Sequence, residues 1–182
     1  MARAEAMTLS LAIDTSTSRT IVGIIDRDTV LFEKFHEGAT DHGRALSQLV
    51  AEALKVSAPP QQVVVGMGPG PFTGLRVGIS FAHTFGLARN IPVIGICSLD
   101  AIDIKDDEYT VAIDARRKEI YWARYKDGVR IEGPSVSKPA EVSGFIIDQY
   151  PDMKQLVSLS ATQNVTEPLY LRRPDAVPTA ER

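Results

Sequence analysis

The 182-residue chain holds one cysteine, Cys97, so no disulfide can form within it and a zinc cluster lacks its usual thiolates. Cys97 lies in the apolar run Ile94-Gly-Ile-Cys-Ser98, where a buried, inert thiol is expected. No stretch approaches the about 18 consecutive apolar residues that a membrane-spanning helix requires. Met1 to Ala6 is too short and too polar for a signal peptide, and a reducing cytoplasm with no membrane attachment is the expected setting. A basic excess is also missing. Lys and Arg total 20 against 23 Asp and Glu, for a net charge of −3, so any nucleic acid is expected to be held mainly by a partner and touched here only indirectly. The three histidines, His36, His42 and His83, include no pair at i and i+4, and no metal site is expected. No Ser/His/Asp or Cys/His constellation can be assembled, which argues against a nucleophilic hydrolase.

What remains is an ordinary globular composition, 44% hydrophobic and 24% charged. The order of the elements carries more information. Thr8 to Asp14 reads as a strand ending in an acid, followed by the turn Thr15 to Arg19, the strand Thr20 to Ile25 and a third strand after Asp26-Arg-Asp28. A hundred residues on, Tyr109 to Asp114 ends in the same Ala-Ile-Asp, with a turn Ala115 to Lys118, a strand Glu119 to Tyr125 and the hairpin turn Lys126-Asp-Gly128. A duplicated strand-turn-strand unit follows from the match. A third Ala-Ile-Asp at Ala101 to Asp103, outside such a unit, keeps chance recurrence open.

Between the copies, helix and strand alternate. His42 to Val56 places Leu46, Leu49, Val50, Ala53 and Leu54 on one helical face, and Pro59-Pro60 ends it. Gln62 to Gly66 is a buried strand, Thr73 to Arg89 a helix, and Val93 to Ile96 another strand, an order that implies parallel pairing in an α/β fold. A short helix is expected near Ala140 to Gln149, and an extended tail from Pro168 to Arg182. The expected division is a first lobe over residues 7–104, with two interface helices, and a smaller second lobe over residues 105–182.

Two segments are candidates for function. The loop Gly66-Met-Gly68-Pro-Gly70-Pro-Phe-Thr73-Gly74-Leu-Arg76 joins a strand to a helix and admits close backbone approach. It is no Walker loop, since no Gly-Lys-Ser/Thr follows, and no dinucleotide fingerprint, since Pro71 or Thr73 replaces the third glycine. Thr73 can cap the helix. Asp14, with Thr15, Ser16 and Thr17, could hold hydrated magnesium and a phosphate, with Asp114 completing a cleft. These residue types are equally at home in ordinary turns. Along the second helix Gly74, Gly78, Ala82 and Gly86 recur every four residues. Each helical glycine costs ~1 kcal/mol against alanine, which points to close packing within the chain or against a partner. Arg116-Arg117-Lys118 and Arg172-Arg173 are small basic clusters.

The segments Leu11 to Thr17, Gly66 to Gly78, Ile91 to Leu99, Val111 to Arg116 and Tyr170 to Pro174, with His42 opening a helix, resemble the TsaB (YeaZ) family of tRNA threonylcarbamoyladenosine (t6A) biosynthesis subunits. The resemblance covers about Thr8 to Gly128, and its Gly-Pro-Gly-x-Phe-Thr-Gly-Leu-Arg block is specific beside the opening Asp-Thr-Ser. It implies a two-lobed actin/Hsp70/sugar-kinase-like (ribonuclease H-like) fold with a reduced second lobe. It also implies a non-catalytic subunit that supports a TsaD-like enzyme modifying adenosine 37 of tRNAs reading ANN codons. A TsaE-like ATPase docks on that pair, and the chain forms a homodimer when alone. No tightly bound cofactor is implied, ATP and magnesium belonging to the complex. The resemblance places the partner interface on the first-lobe helices, here Leu46, Leu49, Val50, Ala53, Gly78, Ala82, Phe85 and Gly86. A glycoprotease-like (M22) label attaches to the family, although no residues here would carry peptidase chemistry. After Ile147 the chain is shorter than family members and lacks their glycine turn. The alternative reading is a weak ATP-binding protein of the actin-like superfamily.

Overall fold

The structure, a computed structural model, describes residues 9–172. Its first sheet is built from β1 (Leu9–Asp14), β2 (Arg19–Asp26), β3 (Thr29–Glu37), β4 (Gln62–Gly66) and β5 (Val93–Ile96), in the order β3-β2-β1-β4-β5. β1 to β3 form an antiparallel meander, while β4 and β5 join in parallel. The parallel connections run through α1 (His42–Ala53) and α2 (Phe72–Arg89), as crossovers require. The second sheet holds β6 (Glu108–Asp114), β7 (Ile120–Lys126), β8 (Val129–Ser137) and β9 (Phe145–Ile146), in the order β8-β7-β6-β9. β6, β7 and β8 repeat the meander, and β9 pairs in parallel with β6 as β4 does with β1. The duplication is therefore real, and the second copy is the reduced one: two residues of β9 stand where β4 has five. This is the two-lobed actin-like, ribonuclease H-like architecture.

Side-chain alternation along the first sheet builds both of its faces. Leu11, Ile13, Val22, Ile24, Val63 and Val65 face the helix pair and pack with Leu46, Leu49, Val50, Leu75 and Ala82. Ala12, Ile21, Ile25 and Val64 face the opposite way, onto Met153, Leu156 and Val157 of α3 (Met153–Leu159). So α3, which follows the second sheet in sequence, packs on the first. Asp152 caps it, accepting the Gln155 N–H at 2.7 Å.

The helix expected near 140–149 is not formed. A single 3₁₀ turn at Pro139–Glu141 leads to β9, and Gly144 and Asp148 take left-handed backbone angles (φ 65° and 63°) that no right-handed helix accommodates. Residues 168–172 form no helix or strand. The rest of the expected tail, with Arg173 and Pro174, lies outside the described residues.

Candidate functional site

The acid at the end of β1 is closed off by its own chain. Asp14 is fully buried. Its Oδ1 accepts the Ser16 N–H (2.8 Å) and the Ser16 hydroxyl (2.7 Å), and its Oδ2 accepts the Ser98 hydroxyl (2.6 Å). Ser98 in turn accepts the Gly68 N–H at 3.1 Å, and its own N–H donates to the Gly68 carbonyl at 2.8 Å. Burial pushes the Asp14 carboxyl above the usual range, and the hydrogen bonds from Ser98 and Ser16 pull it only part of the way back. The glycine loop fits over this cluster with no room for a side chain. A Cβ on Gly66 would overlap Asp14 Oδ2, and one on Gly70 would overlap the Ser16 carbonyl.

Thr15 fastens the next element. Its hydroxyl donates to the Gly74 carbonyl (2.8 Å) and accepts the Gly78 N–H (3.2 Å), bridging consecutive turns of α2. A Cβ on Gly78 would overlap that hydroxyl, one on Gly74 would meet the His42 ring at 2.9 Å, and one on Gly86 would overlap Val93. His42 is itself buried, with Nδ1 2.8 Å from the Thr20 hydroxyl, and burial lowers its pKa.

These contacts decide between the two uses of the small-residue ridge. Gly74, Gly78, Ala82 and Gly86 face the β1 turn and β5 inside the chain, and Leu46, Leu49, Val50 and Ala53 are buried beneath α1. Phe85 is half-buried against the same core and stacks with Phe81 at 6.0 Å. Exposing Leu46, Leu49 and Val50 to a partner would cost about 1.5–3 kcal/mol each. The expected interface residues are thus the inward faces of the two helices. Their outward faces carry Arg44, Gln48 and Ala51 on α1 and Arg76, Ser80, His83, Thr84 and Leu87 on α2, with Leu87 85% exposed. Periodicity revealed which residues share a face, but not which way that face points.

Of the candidate loop residues, Asp14, Thr15, Ser16, Gly68, Gly70 and Gly74 form one packed unit. Thr73 and Arg76 stand outside it, exposed at the start of α2. The expected Thr73 cap does not form, since the helix starts one residue earlier, after Pro71. Asp114 is exposed and does not meet Asp14's cluster. It makes the same local bond, accepting the Arg116 N–H at 2.8 Å, and pairs with the Arg116 guanidinium at 3.6 Å. Asp114 opens onto a cleft of about 220 Å³ lined by Thr17, Ser18, Pro71, Arg116, Gln149 and Tyr150, among others. The cleft's contributors beyond residue 147 carried no recognisable sequence signal.

The family described as TsaD, tRNA N6-adenosine threonylcarbamoyltransferase, matches residues 36–176, more than three quarters of the chain. The tRNA threonylcarbamoyladenosine biosynthesis protein TsaB of Escherichia coli is 33% identical over a gapped alignment of 126 positions that covers 64% of this chain and 54% of that protein. The chain belongs to this family, among its TsaB (YeaZ) members. An uncharacterized protein of Mycobacterium tuberculosis is 40% identical over a gapped alignment of 209 positions that covers 99% of each chain. One from Mycobacterium leprae is 40% identical over a gapped alignment of 204 positions that covers 94% of this chain and 57% of that protein. The chain thus spans little more than half the length of the E. coli and M. leprae relatives. A Pseudomonas aeruginosa protein with similarity to the peptidase YeaZ shares the fold at a TM-score of 0.78 and 22% identity, over 91% of this chain and all of that one.

Proposed function

We propose that this TsaB/YeaZ chain is a non-catalytic partner subunit of the bacterial complex that adds threonylcarbamoyl to adenosine 37 of tRNAs reading ANN codons. It binds and supports a TsaD-like catalytic subunit, with a TsaE-like ATPase on the pair. The observation that carries this reading is the sealed Asp14. In an actin-like fold the strand-end acid and the adjoining turn are the natural place for magnesium and phosphate. Here both carboxylate oxygens are taken by Ser16 and Ser98, and the glycine loop fills the space above them. The residues at that turn do not fit a bound phosphate. Chemistry that needs one therefore belongs to another subunit.

Among the described residues, the hydroxyls around Asp14 and the one thiol are not poised as peptidase nucleophiles. The Ser16 and Ser98 hydroxyls donate to Asp14, the Thr15 hydroxyl donates to the Gly74 carbonyl, and the Cys97 thiol is buried and pushed up to about 12. Pairing with the catalytic subunit, or with a second copy of this chain when that subunit is absent, would use the outward faces of α1 and α2, where Leu87 is the most exposed large apolar side chain.

Reconstitution with the TsaD-like and TsaE-like proteins of the same organism tests the proposal by leaving out one component at a time. Modification should stop without this chain; full modification in its absence overturns the reading. The cleft beside Asp114 favours a second reading, weak ATP binding in the complex. Calorimetry with ATP and magnesium on the isolated chain separates the two. Tight binding that Asp14→Ala or Asp114→Ala abolishes would replace the scaffold reading.

A further inference from the structure

Arg172, the turn Arg116 to Lys118 and two exposed aromatic rings lie on neighbouring segments of the described chain. Tyr170 is brought there by its neighbours: Leu169 and Leu171 pack against the core of the second sheet, and the Leu169 N–H donates to the Met67 carbonyl at 2.8 Å. Tyr170 faces outward, 40% exposed, with its ring 4.9 Å from that of Phe72, itself 43% exposed. The Arg76 guanidinium lies over the other ring of this pair, 5.0 Å from the Phe72 centroid. Two residues beyond Tyr170, Arg172 pairs with Glu119 and donates to the Arg116 carbonyl at 3.5 Å. Arg116 begins a run of three non-glycine residues, Arg116, Arg117 and Lys118, all held in the left-handed region (φ 63°, 55° and 62°). Such a conformation costs about 1–2 kcal/mol per residue, and strain of this kind concentrates at binding sites. Pro71, the neighbour of Phe72, and Arg116 line the same cleft, so the segments that carry the aromatic pair and the strained turn both reach its rim.

Arg76 thus lies over the ring pair, and Arg172, two residues beyond Tyr170, reaches the Arg116 turn, with Asp114 paired to Arg116 and Glu119 to Arg172, in a chain of net charge −3. Rings that accept stacked bases, interleaved with guanidinium and ammonium groups that meet phosphates, are the recognition chemistry of unpaired nucleic acid. We propose that this rim binds a single-stranded stretch of RNA directly, phosphates on the Arg116 to Lys118 turn and a base against Phe72 and Tyr170. The proposal rests on the reading that the chain serves tRNA modification, and it assigns to this subunit a direct contact with the substrate RNA.

The test uses the reconstituted complex and, as probe, a labelled unmodified transcript of a tRNA reading an ANN codon, with binding followed by anisotropy across a salt series. Two variants are compared. R116N/R117N/K118N removes the charges while keeping residues that tolerate the left-handed backbone, and F72L/Y170L removes the rings. The charge variant should lower the slope of log affinity against log salt by about 2. The ring variant should weaken binding on the order of tenfold while leaving that slope in place. Wild-type affinity and slope in both variants, in complexes that still assemble, would overturn the proposal. So would variants that fail to join the catalytic subunit, since the surface would then be a protein interface. If the complex modifies tRNA fully without this chain, the functional reading fails first; if it needs the chain but not the rim, only this inference fails.

Discussion

The turns after β1 and β6 start from the same local chemistry and end in opposite environments. Each strand closes on Ala-Ile-Asp, and each carboxylate accepts the N–H two residues on at 2.8 Å. Asp14 is nevertheless wholly buried and Asp114 exposed. The difference comes from the parallel neighbour. β4 leads into a glycine loop and an 18-residue helix that fold over the Asp14 turn, whereas β9 is two residues long and, among the described residues, no such cover follows it. A short motif therefore sets a hydrogen bond, and the next strand in the sheet decides whether the acid becomes structure or surface.

The largest effects should come from adding atoms beneath the cover of the first turn. Gly66→Ala drives a methyl into Asp14 Oδ2, and Gly78→Leu drives a side chain into the Thr15 hydroxyl. Overpacking of this kind against backbone and buried polar atoms costs about 3 kcal/mol or more. Both variants should lose cooperative unfolding in urea or fail to accumulate as soluble protein. Folded Gly78→Leu that has lost only its self-association would show that the ridge faces a partner after all.

Removing the two acids tests the comparison itself. Asp14→Ala leaves the Ser16 N–H and the Ser16 and Ser98 hydroxyls buried without their acceptor, and should destabilise by about 3 kcal/mol. Asp114→Ala should stay within about 1 kcal/mol, because water replaces the carboxylate. Equal losses would mean that the second turn is as closed as the first. The pH dependence has a definite sign. The folded-state pKa of Asp14 lies above its unfolded value of 3.8, so its contribution is full below about pH 4 and is lost as pH rises through the folded value. Asp14→Asn removes that loss, so its stability relative to wild type should improve as pH climbs above 4. Urea midpoints measured across that range check it.

Much of the architecture was legible because periodicity reports burial. The limits of β1, β4, β5, α1 and α2 fall within a few residues of those expected from alternation, from the 3.6-residue stripe and from the Pro59-Pro60 stop. Two things were not legible. The stripe Leu46, Leu49, Val50 and Ala53 looks the same whether a sheet or a partner covers it. The segment Ala140 to Gln149 has helix-like apolar spacing, which left-handed Gly144 and Asp148 override. At the candidate site, Asp14 and the glycine loop were visible as a pair of motifs, but their closure depends on Ser98, 84 residues away from Asp14 in sequence, which no local pattern links to it.

The smallest expected effect is also the one of opposite sign. At the first turn, glycines are needed because no side chain fits; at the second, three side chains occupy a backbone that glycine would adopt without strain. Lys118→Gly relieves a left-handed residue worth about 1–2 kcal/mol, and returns part of the gain as extra freedom of the unfolded chain, about 0.4–1 kcal/mol. The net should be a stabilisation of about 1 kcal/mol or less, read as a small rise in the urea midpoint with an unchanged slope. Taken with Gly66→Ala, it makes the comparison reciprocal: a side chain added at one turn unfolds the protein, and one removed at the other tightens it. Destabilisation by Lys118→Gly would show instead that contacts of the Lys118 side chain outweigh the backbone strain, and that the second turn is held from outside as the first is held from within.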